Sequence, residues 1–349
     1  MTRDEVLLRL GRGEVIGRGD CSGLDLSGLD LCGGTFEDVD LRGASLAGAR
    51  LSGTTFLRCD LTNADLRRSV LDGASFLACT LARAGLEAAS LVDASVDGTD
   101  CTSADLSSAD LLRAAVRGTK LAGSSFRGAS LVEAVFMDAD LGDLDLGGAR
   151  LCQTVMLNAD LRAARLDGAV FDRAVLNGAN LAGRSLAGLS LAGSQLMEAT
   201  LSSSDLSGAD LARCNLKGAD LTGSELGAVR AGNLLLVETR LAAASARGAF
   251  LEQSIFVDAT IEGTDFADSH MQQCVLHRAR CAGAGFAGAD LTYADFSHAD
   301  LSGCDFTGAK LFRAKLHRVV DSGARFTDRA SALGDDLDLA EAEEWQPGR

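Results

Sequence analysis

The side chains that could carry out chemistry in this chain are ten cysteines, four histidines and an excess of acidic residues. Their spacing matches no catalytic or metal-binding pattern. There is no Cys-x-x-Cys pair, no Cys/His zinc spacing, no Gly-x-Ser-x-Gly nucleophile motif and no phosphate-binding loop. We therefore predict a protein that is not an enzyme, with no catalytic residue, no cofactor and no metal ion.

The overall composition narrows the possible partners. The net charge of −16 argues against direct binding of nucleic acid, which requires positive charge to neutralise phosphates. No apolar run approaches the roughly 18 residues of a membrane helix, and the charged N-terminus does not resemble a signal peptide. We expect a cytoplasmic protein with reduced thiols, whose partner is another protein.

The chain has a five-residue period that must position every one of these side chains. Stepping by five from Leu26 to Leu316 gives 59 positions, of which 39 are Leu and 11 are Phe. Two residues before each large residue, the position is almost always Ala, Ser, Thr, Cys or Gly. A period of five fits neither a helix nor a flat strand, but it fits a chain that turns a corner every five residues. Four corners close a square coil of 20 residues with the large residue at its centre.

The motifs at 104–106, 109–111, 139–141, 159–161, 209–211 and 219–221 all read Ala-Asp-Leu. They resemble the A(D/N)Lxx repeat of the pentapeptide-repeat family, and the resemblance covers roughly residues 21–326. It implies an all-β fold, a right-handed quadrilateral β-helix of about 15 coils. In such a fold residues 20 apart stack in columns, so Phe36, Phe56 and Phe76 should form one aromatic ladder, and a second should run from Phe266 to Phe326.

The ends of the chain depart from the repeat and should cap it. Residues 1–20 form a lead-in with a capping helix over residues 2–10, begun by the capping box at Thr2 and Glu5. Residues 21–326 form the β-helix. Residues 327–349 form an acidic tail with a helix candidate over 331–346, in which Leu333, Leu337, Leu339 and Trp345 are the apolar contacts. This tail either caps the last coil, mediates dimerisation or hangs free.

Within the repeat, most of the unusual residues should be packing residues. Eight cysteines occupy inward positions, and only Cys32 and Cys152 should face outward. Arg184 occupies an inward position and predicts a local bulge, and the stretch from Ala231 to Ala246 is a second expected distortion. His277, His298 and His317 should lie near one face. We expect them to be solvated, with a weak metal or pH-sensitive site as the alternative.

The columns also predict two kinds of surface. One face carries apolar residues in outward positions, which predicts a protein-binding or dimer surface unless they reflect β-propensity alone. These residues are Leu57, Leu77, Val135, Met137, Val155, Leu157, Val175, Met197, Leu235, Val237, Ile255, Val257 and Val275. Two neighbouring faces carry acidic ladders, which either bind a partner or bond to the corner backbone. The ladders are Asp40, Asp60, Asp100, Asp140 and Asp160, and Asp65, Asp105, Asp145, Asp205 and Asp265.

Three functions remain open from the sequence. The first is a non-catalytic scaffold that binds a protein, or a second copy of itself, through the apolar face. The second, implied by family resemblance, is an acidic DNA mimic that binds DNA gyrase or topoisomerase and modulates quinolone sensitivity; gyrase-binding members dimerise through C-terminal elements. The third is an adaptor of a type VI secretion system, because the segments Arg3–Glu14, Leu24–Leu26 and Leu29–Leu31 are similar to repeat proteins found with such systems.

Overall fold

The fold is a parallel β-solenoid of about 16 turns, close to the 15 predicted, with a short helix at each terminus. It is described from a computed structural model covering residues 1–345. Backbone pairing is parallel and in register at a spacing of 20 residues, as the repeat predicts. The chain divides into two compact units, residues Met1–Leu176 and Asn177–Arg349, described separately below.

The first unit contains one eight-stranded parallel sheet whose strands follow chain order. Each strand is only two or three residues long, because the chain turns a corner on either side of it. The central residue of each strand is buried, and its neighbours are half-buried or exposed. The strands are β1 (Ile16–Gly17), β2 (Thr35–Glu37), β3 (Thr55–Leu57), β4 (Ser75–Leu77), β5 (Ser95–Asp97), β6 (Ala115–Arg117), β7 (Val135–Met137) and β8 (Val155–Met156).

Helix α1 (Arg3–Gly11) confirms the N-terminal cap. The Thr2 side chain accepts the Glu5 N–H, and the Glu5 carboxylate accepts the Thr2 N–H, so both halves of the capping box form. Val6 is fully buried. Leu10 packs so closely over Gly34 that a Cβ on this glycine would lie 3.0 Å from Leu10 Cδ2. The helix therefore covers the apolar interior of the first turns.

The second unit repeats the same parallel register, mostly as single-residue bridges. Its strands are β9 (Asp305–Phe306) and β10 (Arg325–Phe326), followed by a 3₁₀ turn (Arg329–Ser331) and helix α2 (Leu337–Glu344). Aromatic ladders form in both units as predicted. Ring centroids are 5.2 and 4.9 Å apart along Phe36, Phe56 and Phe76, and 5.3, 5.0 and 4.7 Å apart from Phe266 to Phe326.

The small inward positions bury polar atoms without leaving them unsatisfied. Thr54 Oγ1 donates to the Leu31 carbonyl at 3.0 Å, and Thr154 Oγ1 donates to the Leu131 carbonyl at 2.6 Å. Each donor reaches a carbonyl 23 residues earlier, on the preceding coil. Ser, Thr and Cys are therefore tolerated here beside Ala, because a buried hydroxyl costs little once it has a partner.

Neither expected distortion changes the backbone. The Arg184 N–H donates to the Leu181 carbonyl at 3.1 Å and its carbonyl accepts from Asp205 at 2.9 Å, so the predicted bulge is absent and only the side chain adapts, half-exposed. Around Ala231 the ladder is also regular. Beside this small central residue, Val229 and Leu234 are buried and are larger than the Ala or Ser usual at their positions.

The C-terminal prediction needs two corrections. Helix α2 is shorter than the predicted range 331–346, whose last residue lies outside the described part of the chain. The apolar side chains expected to hold it are exposed instead: Leu333 by 43%, Leu337 by 78%, Leu339 by 45% and Trp345 by 71%. The helix is attached by charged side chains, through Arg318 and Glu343.

Candidate protein-binding surface

In the first unit, the predicted apolar residues form a patch around strands β7 and β8. Val135, Val155 and Val175 pair in register and are half-buried. Met137 and Leu157 follow the buried centres of the same strands and are 45% and 50% exposed. These five residues, called here the β7–β8 patch, place two large flexible side chains two residues after the valines of their strands.

The predicted stripe is not continuous within this unit. Leu57 and Leu77 stack on each other, and Leu77 is 46% exposed. The next two positions in the column are Asp97 and Arg117, which separate this pair from Met137. The exposed apolar surface is therefore two patches and not one.

The second unit carries its own group of predicted residues. Leu235, Ile255 and Val275 pair in register, and Leu235 is 37% exposed. Met197, Val237 and Val257 are half-buried. Leu235 is the one exposed residue of this group, whereas the β7–β8 patch has two, Met137 and Leu157.

Next to the β7–β8 patch, the backbone ladder opens at one corner. One coil earlier, Leu121 N–H donates to the Asp140 carbonyl at 2.7 Å, and Asp140 N–H donates to the Thr119 carbonyl at 2.9 Å. Within Met1–Leu176, the corresponding bonds between Leu141 and Asp160, and between Asp160 and Ala139, do not form. A pocket of about 450 Å³ takes their place.

A displaced turn accompanies this opening. The left-handed residues of the other turns fall at the same place in the repeat, but here Gly142 takes that conformation, at φ +43°, one residue early, and Ala163 on the next coil is not left-handed. A Cβ on Gly142 would lie 2.8 Å from the Ala122 Cβ, so only glycine allows this approach. A smaller pocket of about 110 Å³, lined by Leu157 among others, joins the opening to the β7–β8 patch.

The acidic ladders are bonded largely to the protein itself. Nine of the ten predicted aspartates accept the backbone N–H two residues ahead, over 2.9–3.2 Å. Asp140, at the opening, is the exception among the ten. Arginine side chains lie within 4.0 Å of six of them: Asp40, Asp60, Asp65, Asp145, Asp160 and Asp265.

Hydrogen bonds of this kind lower the pKa of five ladder carboxyls, Asp40, Asp65, Asp100, Asp160 and Asp205. The Arg162 guanidinium lowers the pKa of Asp160 to about 2, chiefly through its side-chain hydrogen bond. Arg42 and Arg67 lower the pKa of Asp40 and Asp65 in the same way. The carboxylates are ionised at neutral pH, but much of their charge is already paired.

The cysteines lie where the repeat predicts. Eight are buried, Cys32 is exposed and Cys152 is half-exposed. Burial raises the pKa of Cys101 and of Cys274 to about 12. These thiols are packing residues that do not ionise at neutral pH.

The expectation of solvated histidines is wrong for His317, whose side chain is 3% exposed. His277, His298 and His317 stack edge to face, with centroids 5.1 and 5.3 Å apart. Glu343 of α2 reaches this row: its Oε1 lies 3.0 Å from His298 Nε2, and its Oε2 lies 3.4 Å from His317 Nε2. The five-residue period could not show this contact, because it depends on how the tail folds back.

The repeats themselves match a family model described as pentapeptide repeats (8 copies). The matched segments together extend over most of the chain: residues 20–56, 59–96, 86–122, 117–153, 156–188, 194–229, 235–273, 269–308 and 279–318. This chain belongs to the pentapeptide-repeat family. The resemblance predicted from the Ala-Asp-Leu motifs is thereby confirmed.

Several solved structures of pentapeptide-repeat proteins are similar to this chain. HetL, involved in heterocyst differentiation regulation in the cyanobacterium Nostoc sp. strain PCC 7120, is 22% identical over 88% of this chain and 98% of its own, with a TM-score of 0.17. A protein from the Arabidopsis thaliana thylakoid lumen is 30% identical over 31% of this chain and 66% of its own, with a TM-score of 0.23. Full-length QnrB1, a plasmid-mediated fluoroquinolone resistance protein, is 15% identical over 94% and 98%, with a TM-score of 0.16. A search of curated proteins finds no match.

This pentapeptide-repeat protein also exposes aromatic residues that the column analysis missed. Tyr293 and Phe312 are 50% and 55% exposed and contact each other edge to face at 5.7 Å. Phe250 is 42% exposed and stacks on His270 at 4.8 Å. Only their residue types signal them, because positions 250, 293 and 312 lie outside the apolar column and the two acidic ladders. No helix within residues 1–345 is long and apolar enough to cross a bilayer.

Proposed function

We propose that this protein is a non-catalytic scaffold that binds a protein partner through the β7–β8 patch. The observation that carries the proposal is the exposure of Met137 and Leu157, 45% and 50%, directly beside the opened corner. Large exposed apolar side chains that lie together are typical of interaction surfaces. Methionine and leucine in particular adapt to a partner's shape and supply the apolar contact area of an interface.

The opened corner supports an extended segment as the part of the partner that docks. The N–H of Leu141 and the carbonyl of Ala139 lack their ladder partners in the first unit. Unpaired strand backbone is the template on which proteins add a strand from a partner. A short peptide with apolar side chains could therefore pair with this backbone and cover Leu157 at the same time.

A second copy of this chain is the alternative occupant of the β7–β8 patch. The apolar patch of the second unit could contribute to binding a partner or a second copy.

The remaining expectations stay proposals as well. They are one repeat region over 21–326 between the lead-in 1–20 and the tail 327–349, and a cytoplasmic location, where thiols stay reduced.

The DNA-mimic hypothesis has less support than the scaffold. A mimic needs free negative charge in rows, and the ladders do carry aspartate on successive coils. However, six of the ten aspartates lie within 4.0 Å of an arginine. These arginines reduce the negative electrostatic potential that the ladders would present to a DNA-binding surface. A gyrase supercoiling assay with and without ciprofloxacin tests it. No observation favours the type VI adaptor, which gene neighbourhood would test.

The scaffold proposal is tested by a paired substitution on the patch. Met137→Lys with Leu157→Lys should abolish capture of the partner from the native host, because two lysines cannot enter an apolar interface. Val70→Lys is the matched control, since Val70 is 36% exposed on a different face of the same unit. The captured protein is then purified, and binding is measured with both variants by titration calorimetry.

Three results separate the possibilities. Binding lost in the double variant and kept in Val70→Lys supports the proposal. Binding kept in both variants refutes it. If light scattering shows that the unmodified protein is a dimer and the double variant is a monomer, the occupant of the patch is a second copy.

A further inference from the structure

The geometry points to a divalent metal site, with zinc as the best-suited ion, formed by His298, His317 and Glu343. The two histidines come from successive coils, and Glu343 comes from α2 (Leu337–Glu344). One ligand atom from each lies within 4.8 Å of the others. A metal ion here would join the last coils to the C-terminal helix.

The type of ligand favours zinc. Two imidazoles and one carboxylate are a donor set that zinc accepts, and such three-ligand sites leave a further position for water. The pocket around the three side chains has a volume of about 600 Å³, which leaves room for that water. His298 Nε2 is already 3.0 Å from Glu343 Oε1, close to the separation of two ligands on one ion.

Neighbouring groups orient the carboxylate. Arg318 Nε lies 3.0 Å from Glu343 Oε2, and Arg318 Nη2 lies 2.6 Å from Glu344 Oε1. The guanidinium therefore holds one oxygen of Glu343 and leaves Oε1 directed at His298. Because α2 has no buried residue of its own, these charged contacts fix the position of the ligand-bearing helix.

Metal binding at His317 would exchange one hydrogen bond of its ring. Nδ1 accepts the Asp336 N–H at 3.1 Å, and Nε2 lies 3.4 Å from Glu343 Oε2. A neutral imidazole that binds a metal through Nε2 carries its hydrogen on Nδ1, so the bond from the Asp336 N–H would break when the metal binds. Asp335 Oδ1, 3.7 Å from Nδ1, is the carboxylate oxygen that this N–H could then approach, because metal-bound histidines commonly donate their other N–H to a carboxylate.

The test measures zinc binding to the full chain by titration calorimetry, and cobalt binding by visible absorption. We expect one zinc per chain. His298→Ala, His317→Ala and Glu343→Gln should each weaken it roughly 100-fold or more, and Asp335→Asn by about 10- to 100-fold, as for other outer-shell partners. His270→Ala is the control, because His270 is 20 or more residues from the cluster and stacks on Phe250.

A second measurement keeps the test valid if His317→Ala disturbs the fold. Glu343→Gln replaces a side chain of the helix and leaves every side chain of the coils in place, so its effect on affinity reports the site and not a damaged coil. Zinc should also slow hydrogen exchange of the α2 amides in the unmodified chain. The proposal is overturned if the unmodified chain binds no zinc, or if Glu343→Gln and His298→Ala bind it as tightly as His270→Ala. The cluster would then be a hydrogen-bonded clasp alone.

Discussion

Replacing Gly142 with alanine should destabilise the first unit more than the same change at an ordinary turn. At Gly73 (φ +65°) nothing lies within 4 Å of an added Cβ, so Gly73→Ala costs only the left-handed conformation, about 1 kcal/mol. At Gly142 the added Cβ would meet the Ala122 Cβ at 2.8 Å and its Cα at 2.9 Å. Overpacking of this kind adds about 1–3 kcal/mol, giving about 2–4 kcal/mol in total.

Denaturant unfolding followed by circular dichroism compares the two variants, and hydrogen exchange locates the loss. Amides of the coils on either side of the opened corner should exchange faster in Gly142→Ala, while Gly73→Ala should change only its own turn. Equal losses in the two variants would refute the close approach of the Gly142 and Ala122 backbones. A more stable Gly142→Ala would refute the displaced turn itself.

Three further changes test the interior, the ladders and the thiols. Thr154→Val should cost about 1 kcal/mol of unfolding free energy in denaturant, because the hydroxyl that donates to the Leu131 carbonyl is lost, whereas Thr154→Ser should cost less. Asp160 should titrate near pH 2 in a carboxyl NMR experiment. Because this pKa lies below the value of about 3.9 in the unfolded chain, ionised Asp160 contributes to the free energy of unfolding above pH 4, and this contribution is lost as pH falls through about 2. Asp160→Asn should remove this pH dependence, which is worth less than about 1 kcal/mol at an exposed site. A thiol reagent should modify Cys32 first and Cys152 more slowly in the folded protein, and all ten cysteines after denaturation; early reaction of a third thiol would contradict the predicted packing.

The five-residue period was enough to predict which residues stack. Phe36, Phe56 and Phe76 could be placed in one column because no residue is inserted or deleted between coils, and each 20-residue step returns the chain to the same face. The acidic positions could be placed equally well. Their pairing with arginine could be anticipated only in part, since Arg42 and Arg67 follow their aspartates by two residues.

Other features depend on contacts that a period cannot express. No residue is inserted or deleted at the opened corner, so the repeat stays in phase there. The only sign of it in the sequence is Gly142, a glycine one residue before the usual turn position. The burial of His317 depends on the path of residues 327–345, which leave the repeat. Leu337 and Trp345 look like packing residues in the sequence, yet α2 is held by ion pairs and leaves them exposed.

The exchange of volume around Ala231 has a consequence for how this protein can evolve. Val229 and Leu234 are buried and larger than the residues usual at their positions, so we expect leucine at 231 alone to overpack the coil and alanine at 229 alone to open a void. Each single step is unfavourable, although the combined change returns to the common repeat. Positions 229, 231 and 234 should therefore covary among close relatives, and a lineage that has acquired this arrangement should retain it.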